Sequence, residues 1–183
     1  MHGTTVGYTR TAIGLHWLIA LLIFAAFPLG VYMTDLPFSP MRLKLYSYHK
    51  WLGVTVFMLA VLRVLWRLTH AAPPPVAMPA WQRIASVATH HLLYILVLAV
   101  PVSGWLMSSA LGMQTVYLGV IPLPDLLARD KALGDQLAIL HKALNLSMAV
   151  LVIAHVLGAM KHHFIDRDVV MGRMIPFLAS RHP

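Results

Sequence analysis

His141 and His155 are separated by fourteen residues in the stretch HKALNLSMAVLVIAH, which is otherwise largely apolar. On an α-helix that interval amounts to roughly 21 Å of rise and returns the second side chain to within about 40° of the first. Both imidazoles then face one way, one near each end of the run. His16 and His49 lie in two further apolar stretches, GLHWL and YHKWLGV. Neutral imidazole ligates transition metals and haem iron, and it relays protons near pH 7. A single histidine in an apolar helix is as readily a packed residue bonded to a backbone carbonyl, so the weight falls on the joint pattern.

The elements that must position these rings are set by composition. The chain has 183 residues, 59% of them hydrophobic and only 11% charged, with a mean hydropathy of +0.74. That balance lies far outside ordinary soluble domains and predicts an integral membrane protein. Four apolar windows, 11–34, 46–68, 90–108 and 137–160, each approach the roughly 20 residues that cross a bilayer. The expected architecture is all-α: one transmembrane domain over 1–183, folded as a four-helix bundle. The first window is too long for a signal-peptide core and no A-x-A-like cleavage site follows it, so it is read as a spanning helix. THAAPPPVAMP makes an extended connection after the second helix because successive prolines remove donors. Pro101 and Gly104 mark a candidate kink in the third. The long connection from Ser108 to Asp135 is apolar enough to lie partly at the membrane interface.

Charge sets the expected orientation. Fourteen Lys and Arg face six Asp and no Glu, a formal charge of +8. The basic residues sit at helix ends and form no stripe, which points to membrane topology and not to nucleic-acid binding. Arg10, Arg63, Arg67, Arg83, Lys161, Arg167, Arg173 and Arg181 fall on one side. Arg42, Lys44, Lys50, Arg129, Lys131 and Lys142 fall on the other, diluted by Asp35, Asp125, Asp130 and Asp135. The positive-inside rule makes the first side cytoplasmic and places both termini there. The absence of cysteine excludes disulfides, iron–sulfur clusters and covalent haem attachment, and the absence of Glu excludes a Glu-x-x-His di-iron site.

With helices alternating in direction, His16 and His155 share an inner level while His49 and His141 share an outer one. Two pairs at matched depths, with one helix supplying a member of each, is what two bis-histidine haems stacked across a bilayer require. Gly14, Gly53 and Gly158 stand near His16, His49 and His155, where a missing side chain admits a flat macrocycle; close helix packing is the plain alternative. His90, with His91 beside it at the inner start of the third helix, rivals His16 as a ligand and is a candidate for a quinone site or a headgroup contact. His162, His163, His2, His70 and His182 are expected to be solvated. The five tryptophans are expected in an interfacial belt. Lys50 and Lys142 each follow an outer histidine and are candidates to steer an anion or pair with haem propionates; headgroup contact is the alternative.

Taken together, GLHWL, YHKWLGV, RVLWRLTHAAPPP, HHLLYILVLAVPVSGW, LHKAL and IAHVLGAMKHHF resemble the bacterial cytochrome b561 family over about Tyr8 to Phe177. That family is similar in turn to the di-haem cytochrome b subunits of formate dehydrogenase and nickel-iron hydrogenase. The resemblance implies two non-covalent haems b, with His16, His49, His141 and His155 as iron ligands, and exchange of electrons with quinone. It further implies superoxide as donor and ubiquinone as acceptor, a superoxide:ubiquinone oxidoreductase of the bacterial inner membrane. The alternative is a haem-bearing anchor subunit that links a separate dehydrogenase or hydrogenase to the quinone pool. A haem-free anchor or metal transporter would leave the matched histidine pairs unexplained.

Overall fold

The computed structural model describes residues 7–179. Four long helices dominate it: α1 (Arg10–Asp35), α2 (Pro40–Thr69), α3 (Ala80–Ala110) and α4 (Lys131–Lys161). All four are long and apolar enough to cross a membrane. At 30 and 31 residues, α2 and α4 reach about 45 Å, beyond the roughly 30 Å hydrocarbon core. Three start at side-chain caps that satisfy otherwise orphaned N–H groups. Thr9 accepts from the Ala12 amide at 3.2 Å, Ser39 from Arg42 at 3.2 Å and Asp130 from Leu133 at 3.1 Å.

The caps at Ser39 and Asp130 explain where α2 and α4 outrun their apolar windows. α2 begins at Pro40 and α4 at Lys131, each six residues before the window read from hydropathy. α3 begins at Ala80, ten residues before its window. Hydropathy marks only the stretch that matches lipid, whereas α2 and α4 continue to their capping side chains and α3 to Pro79, whose backbone is extended. Pro101 lies inside α3 without ending it.

The outer connection between α3 and α4 carries a small antiparallel hairpin, β1 (Val116–Tyr117) with β2 (Ile121–Pro122). It is tied down by side chains of the bundle. Trp51 Nε1 donates to Val116 O at 2.7 Å, Trp105 Nε1 to Pro124 O at 3.1 Å and Lys50 Nζ to Met113 O at 2.7 Å. At the opposite end, Trp66 Nε1 donates to Thr9 Oγ1 at 2.9 Å and Trp17 Nε1 to Met174 O at 2.8 Å. The beginning and end of the described chain therefore meet at one end of the bundle. Four of the five tryptophans expected as an interfacial belt, Trp17, Trp51, Trp66 and Trp105, also act as clamps, their indole N–H groups finding protein acceptors.

Much of the surface is apolar: Leu21, Phe24, Ile95, Val150 and Ile153 are all at least 60% exposed, as a lipid-facing surface requires. The core is thin by comparison. Leu96, Val100 and Met148 are buried together, with Ile23, Leu144, Leu151 and Val152 packed around them. Met148 lies seven residues from both His141 and His155, so this apolar plug separates the two histidine levels.

One expectation is corrected at the inner end. His162 is not solvated: it is 8% exposed, in a π-helical turn (His162–Asp166) that follows α4. Its Nδ1 lies 2.6 Å from Asp168 Oδ2, and Gln82 of α3 approaches its Nε2 at 3.3 Å. The extra residue per turn of the π segment rotates the ring inward, and α3 begins early enough to supply Gln82. His70 stacks on Trp66 with ring centroids 3.9 Å apart, and His163 meets Phe164 edge-on at 4.8 Å. His2 and His182 lie outside the described residues.

Candidate functional site

The four spanning histidines meet as two pairs. His49 of α2 faces His141 of α4 with ring centroids 6.4 Å apart, and His16 of α1 faces His155 of α4 at 6.1 Å. Such rings are too far apart to touch and close enough to share one atom. A metal bonded to one nitrogen of each ring at about 2.0 Å leaves roughly 6 Å between ring centres. Because α4 is unbroken from Lys131 to Lys161, its two histidines stand about 21 Å apart along the axis.

The outer pair is oriented by backbone carbonyls. His49 Nδ1 lies 3.1 Å from Ala26 O on α1, and His141 Nδ1 lies 3.1 Å from Val100 O on α3, with Ser103 Oγ 2.9 Å away. A ring that donates from Nδ1 keeps the lone pair on Nε2, the tautomer that second-shell carbonyls impose on metal-bound histidine. Each ring presses on a glycine of the helix that supplies its carbonyl, Gly30 of α1 for His49 and Gly104 of α3 for His141. A Cβ at Gly30 would lie 3.0 Å from His49 Cε1, and one at Gly104 would lie 3.0 Å from His141 Cε1.

A family model described as prokaryotic cytochrome b561 matches residues 7–177. The chain belongs to this family. It is 36% identical over 172 residues to cytochrome b561 homolog 2 of Escherichia coli (strain K12), covering 92% of this chain and 90% of that relative. It is 28% identical over 178 residues to a protein of Yersinia pestis named probable superoxide oxidase CybB, covering 92% and 96%. It is 29% identical over 176 residues to cytochrome b561 homolog 1 of the same E. coli strain, covering 92% and 97%. Membership of the cytochrome b561 family makes this a membrane electron-transfer protein and implies haem b.

A b561 cofactor needs room for a macrocycle beside the rings. An apolar cavity reaches from His49 and His141 past Gly53 and Val56 to Met148, half-way to the inner level. No atom outside the local backbone comes within 4 Å of where a Cβ would stand at Gly14, Gly53 or Gly158. The three glycines singled out in the sequence therefore border open space, while Gly30 and Gly104 do different work by admitting the imidazoles themselves. Their signal was present in two parallel stretches, AFPLG and VPVSG. Each places the acceptor carbonyl one turn before the glycine, with proline between.

His90 also joins the inner group, its ring centroid 5.2 Å from that of His155 and its Nδ1 2.6 Å from Ser86 O. That separation is about 1 Å shorter than either facing pair shows, and His90 is exposed. His91 turns away, with Nδ1 2.8 Å from Val87 O. Lys50 is held against the outer connection through Met113 O, whereas Lys142 is exposed.

The glycine cradle gives a sharp expectation. Gly104→Val drives a branched side chain into His141 and should lower affinity for the outer haem by about 10–100-fold, the usual cost of disturbing a ligand's supporting shell. Haem per chain, titrated by pyridine haemochrome, should fall below the wild-type value. Undiminished loading would show that the contact with Gly104 does not position His141.

Proposed function

We propose that this protein carries single electrons from superoxide at the periplasmic face to ubiquinone near the cytoplasmic face through two haems b, held by His49 with His141 and by His16 with His155. The observation that carries the reading is the pair of facing imidazoles at each of two levels, 6.4 and 6.1 Å between centroids, linked by one continuous helix. Each haem supplies a reversible one-electron couple. The chain's residues would hold each haem through imidazole nitrogens; at the outer level Ala26 O and Val100 O fix the tautomer, and Leu96, Val100 and Met148 keep water from the space between levels.

The overall reaction balances with two superoxide anions losing one electron each to leave dioxygen, while ubiquinone takes both electrons and two protons to become ubiquinol. Placing the shared inner end of the bundle in the cytoplasm follows from its basic residues Arg10, Arg67, Arg83 and Lys161. There, Ile13, Trp17, Met174, Ile175 and Pro176 line an apolar groove beside the helix turn of His16, suited to a quinone ring and its tail; His90, outside that groove and against His155, is the group we assign to relay protons toward quinone. The similarity to the Yersinia protein named probable superoxide oxidase supports the choice of donor.

The test is a reduced-minus-oxidised spectrum of purified protein with haem quantified per chain, followed by stopped-flow mixing with superoxide. Two low-spin haems, extractable by acidic acetone because no thioether can form, and their reduction by superoxide are expected. Reduction by quinol but not by superoxide would replace this reading with that of an anchor subunit serving a separate dehydrogenase or hydrogenase.

A further inference from the structure

α2 carries its own fourteen-residue interval, from His49 to Arg63, on an unbroken helix. By the same helical arithmetic the two side chains share a face about 21 Å apart. Where α4 offers an imidazole at each level, α2 offers an imidazole at the outer level and a guanidinium at the inner one. Arg63 is half-buried, six residues before the inner end of its helix. Its Nη1 donates to Ala12 O of α1 at 2.6 Å, and its guanidinium carbon stands 5.9 Å from the Tyr94 ring centre of α3. Among the described residues no carboxylate pairs with it; the ion pairs join Lys131, Lys161 and His162 to aspartates. Its charge reaches both His16 and His155.

An arginine inside a spanning segment is costly unless its charge serves something there. Here one N–H is used by the carbonyl of Ala12, a guanidinium has five to offer, and Ala12 stands one turn before His16 on α1, which brings the guanidinium to the inner level. We propose that Arg63 sets the electron affinity of the inner site: its uncompensated charge favours the reduced state of an iron held between His16 and His155. This rests on the ligand assignment above. A nearby cation opposes the added positive charge of ferric iron, and local charge and burial are among the levers by which a protein tunes haem potential. The outer pair has no equivalent half-buried, uncompensated cation among the described residues: Lys142 is exposed to solvent, and Lys50 lies in the field of Asp125. The asymmetry makes transfer from the outer to the inner level downhill.

Potentiometric titration of detergent-purified holoprotein tests this, with the inner haem assigned in a His141→Ala background. Arg63→Gln keeps a donor for Ala12 O and loses the charge. It should lower the inner haem's reduced-to-oxidised ratio at fixed potential at least tenfold, about 59 mV for one electron, and leave the outer haem unmoved. Arg63→Lys, which keeps the charge, should restore most of the shift. Should Gln at this position cost the inner haem, Leu59→Asp, one turn away on the same face, neutralises the guanidinium in place and should give the same downward shift. An unmoved inner midpoint, equal shifts in the Gln and Lys variants, or an equal shift of the outer haem would each overturn the proposal. Failure of the ligand assignment shows itself separately, as wild-type protein that holds fewer than two haems.

Discussion

Replacing His141 by alanine is expected to empty the outer haem site, leave one haem per chain at the inner site, and abolish rapid reduction by superoxide. His141 is the member of the outer pair held by three groups of α3: Val100 O, Ser103 Oγ and the face of Gly104. Among the described residues no other histidine is placed to substitute for it at the outer level, where the ring contact of His49 is with His141. The loss in rate should exceed the roughly 10–100-fold that follows from disturbing a ligand's supporting shell, because the ligand itself is gone. His155→Ala should do the converse: a reducible outer haem remains, and electrons no longer reach quinone. The inner level tests the pairing more severely, because His90 sits beside His155. His16→Ala should remove the inner haem and His90→Ala should retain it. If the inner haem survives loss of His16 and disappears with loss of His90, the pairing is wrong and α3, not α1, supplies the second ligand.

The legibility of this site follows helical periodicity. His141 and His155 lie on one helix, so their mutual orientation depends only on 3.6 residues per turn. The depth of His16 and His49 follows from helix direction, which apolar run lengths fix. What the sequence hid depends on contacts between elements. Gly30 and Gly104 matter only because an imidazole from a different helix arrives against each; within their own helices they read as ordinary packing glycines. His162 lies two residues past the apolar run and counts as solvated by any local rule. The π-helical turn brings it to Asp168 and Gln82, and neither a π turn nor an early start of α3 has a hydropathy signature. The starts of α2, α3 and α4 lie six to ten residues before their apolar windows, since Ser39, Pro79 and Asp130, and not apolarity, mark where these helices begin. Arg63 was visible as a charge but was counted toward topology, although it stands inside the span that the count was meant to flank.

The outer lysines, alike in sequence, should behave differently. Lys50 is half-buried with its ammonium donated to Met113 O at 2.7 Å, so much of what it does is hold the outer connection over the helices. Lys142 follows His141 on α4 and is exposed, free to act on a diffusing anion. If superoxide is drawn to the outer haem by this field, its second-order rate should fall as salt rises. The Debye length shrinks from about 30 Å at 0.01 M to about 3 Å at 1 M, and loss of steering costs on the order of tenfold or more in association rate. Lys142→Gln should therefore lower the low-salt rate severalfold and flatten its salt dependence while leaving haem content and the spectrum unchanged. Lys50→Gln should retain more of the salt dependence, its main effect being a looser outer connection, visible as faster proteolysis near Met113. A rate indifferent both to ionic strength and to Lys142 would end the steering explanation without touching the haem assignment. A salt dependence that survives in the Lys142 variant and vanishes in the Lys50 variant would show that the clamped lysine, and not the exposed one, supplies the field.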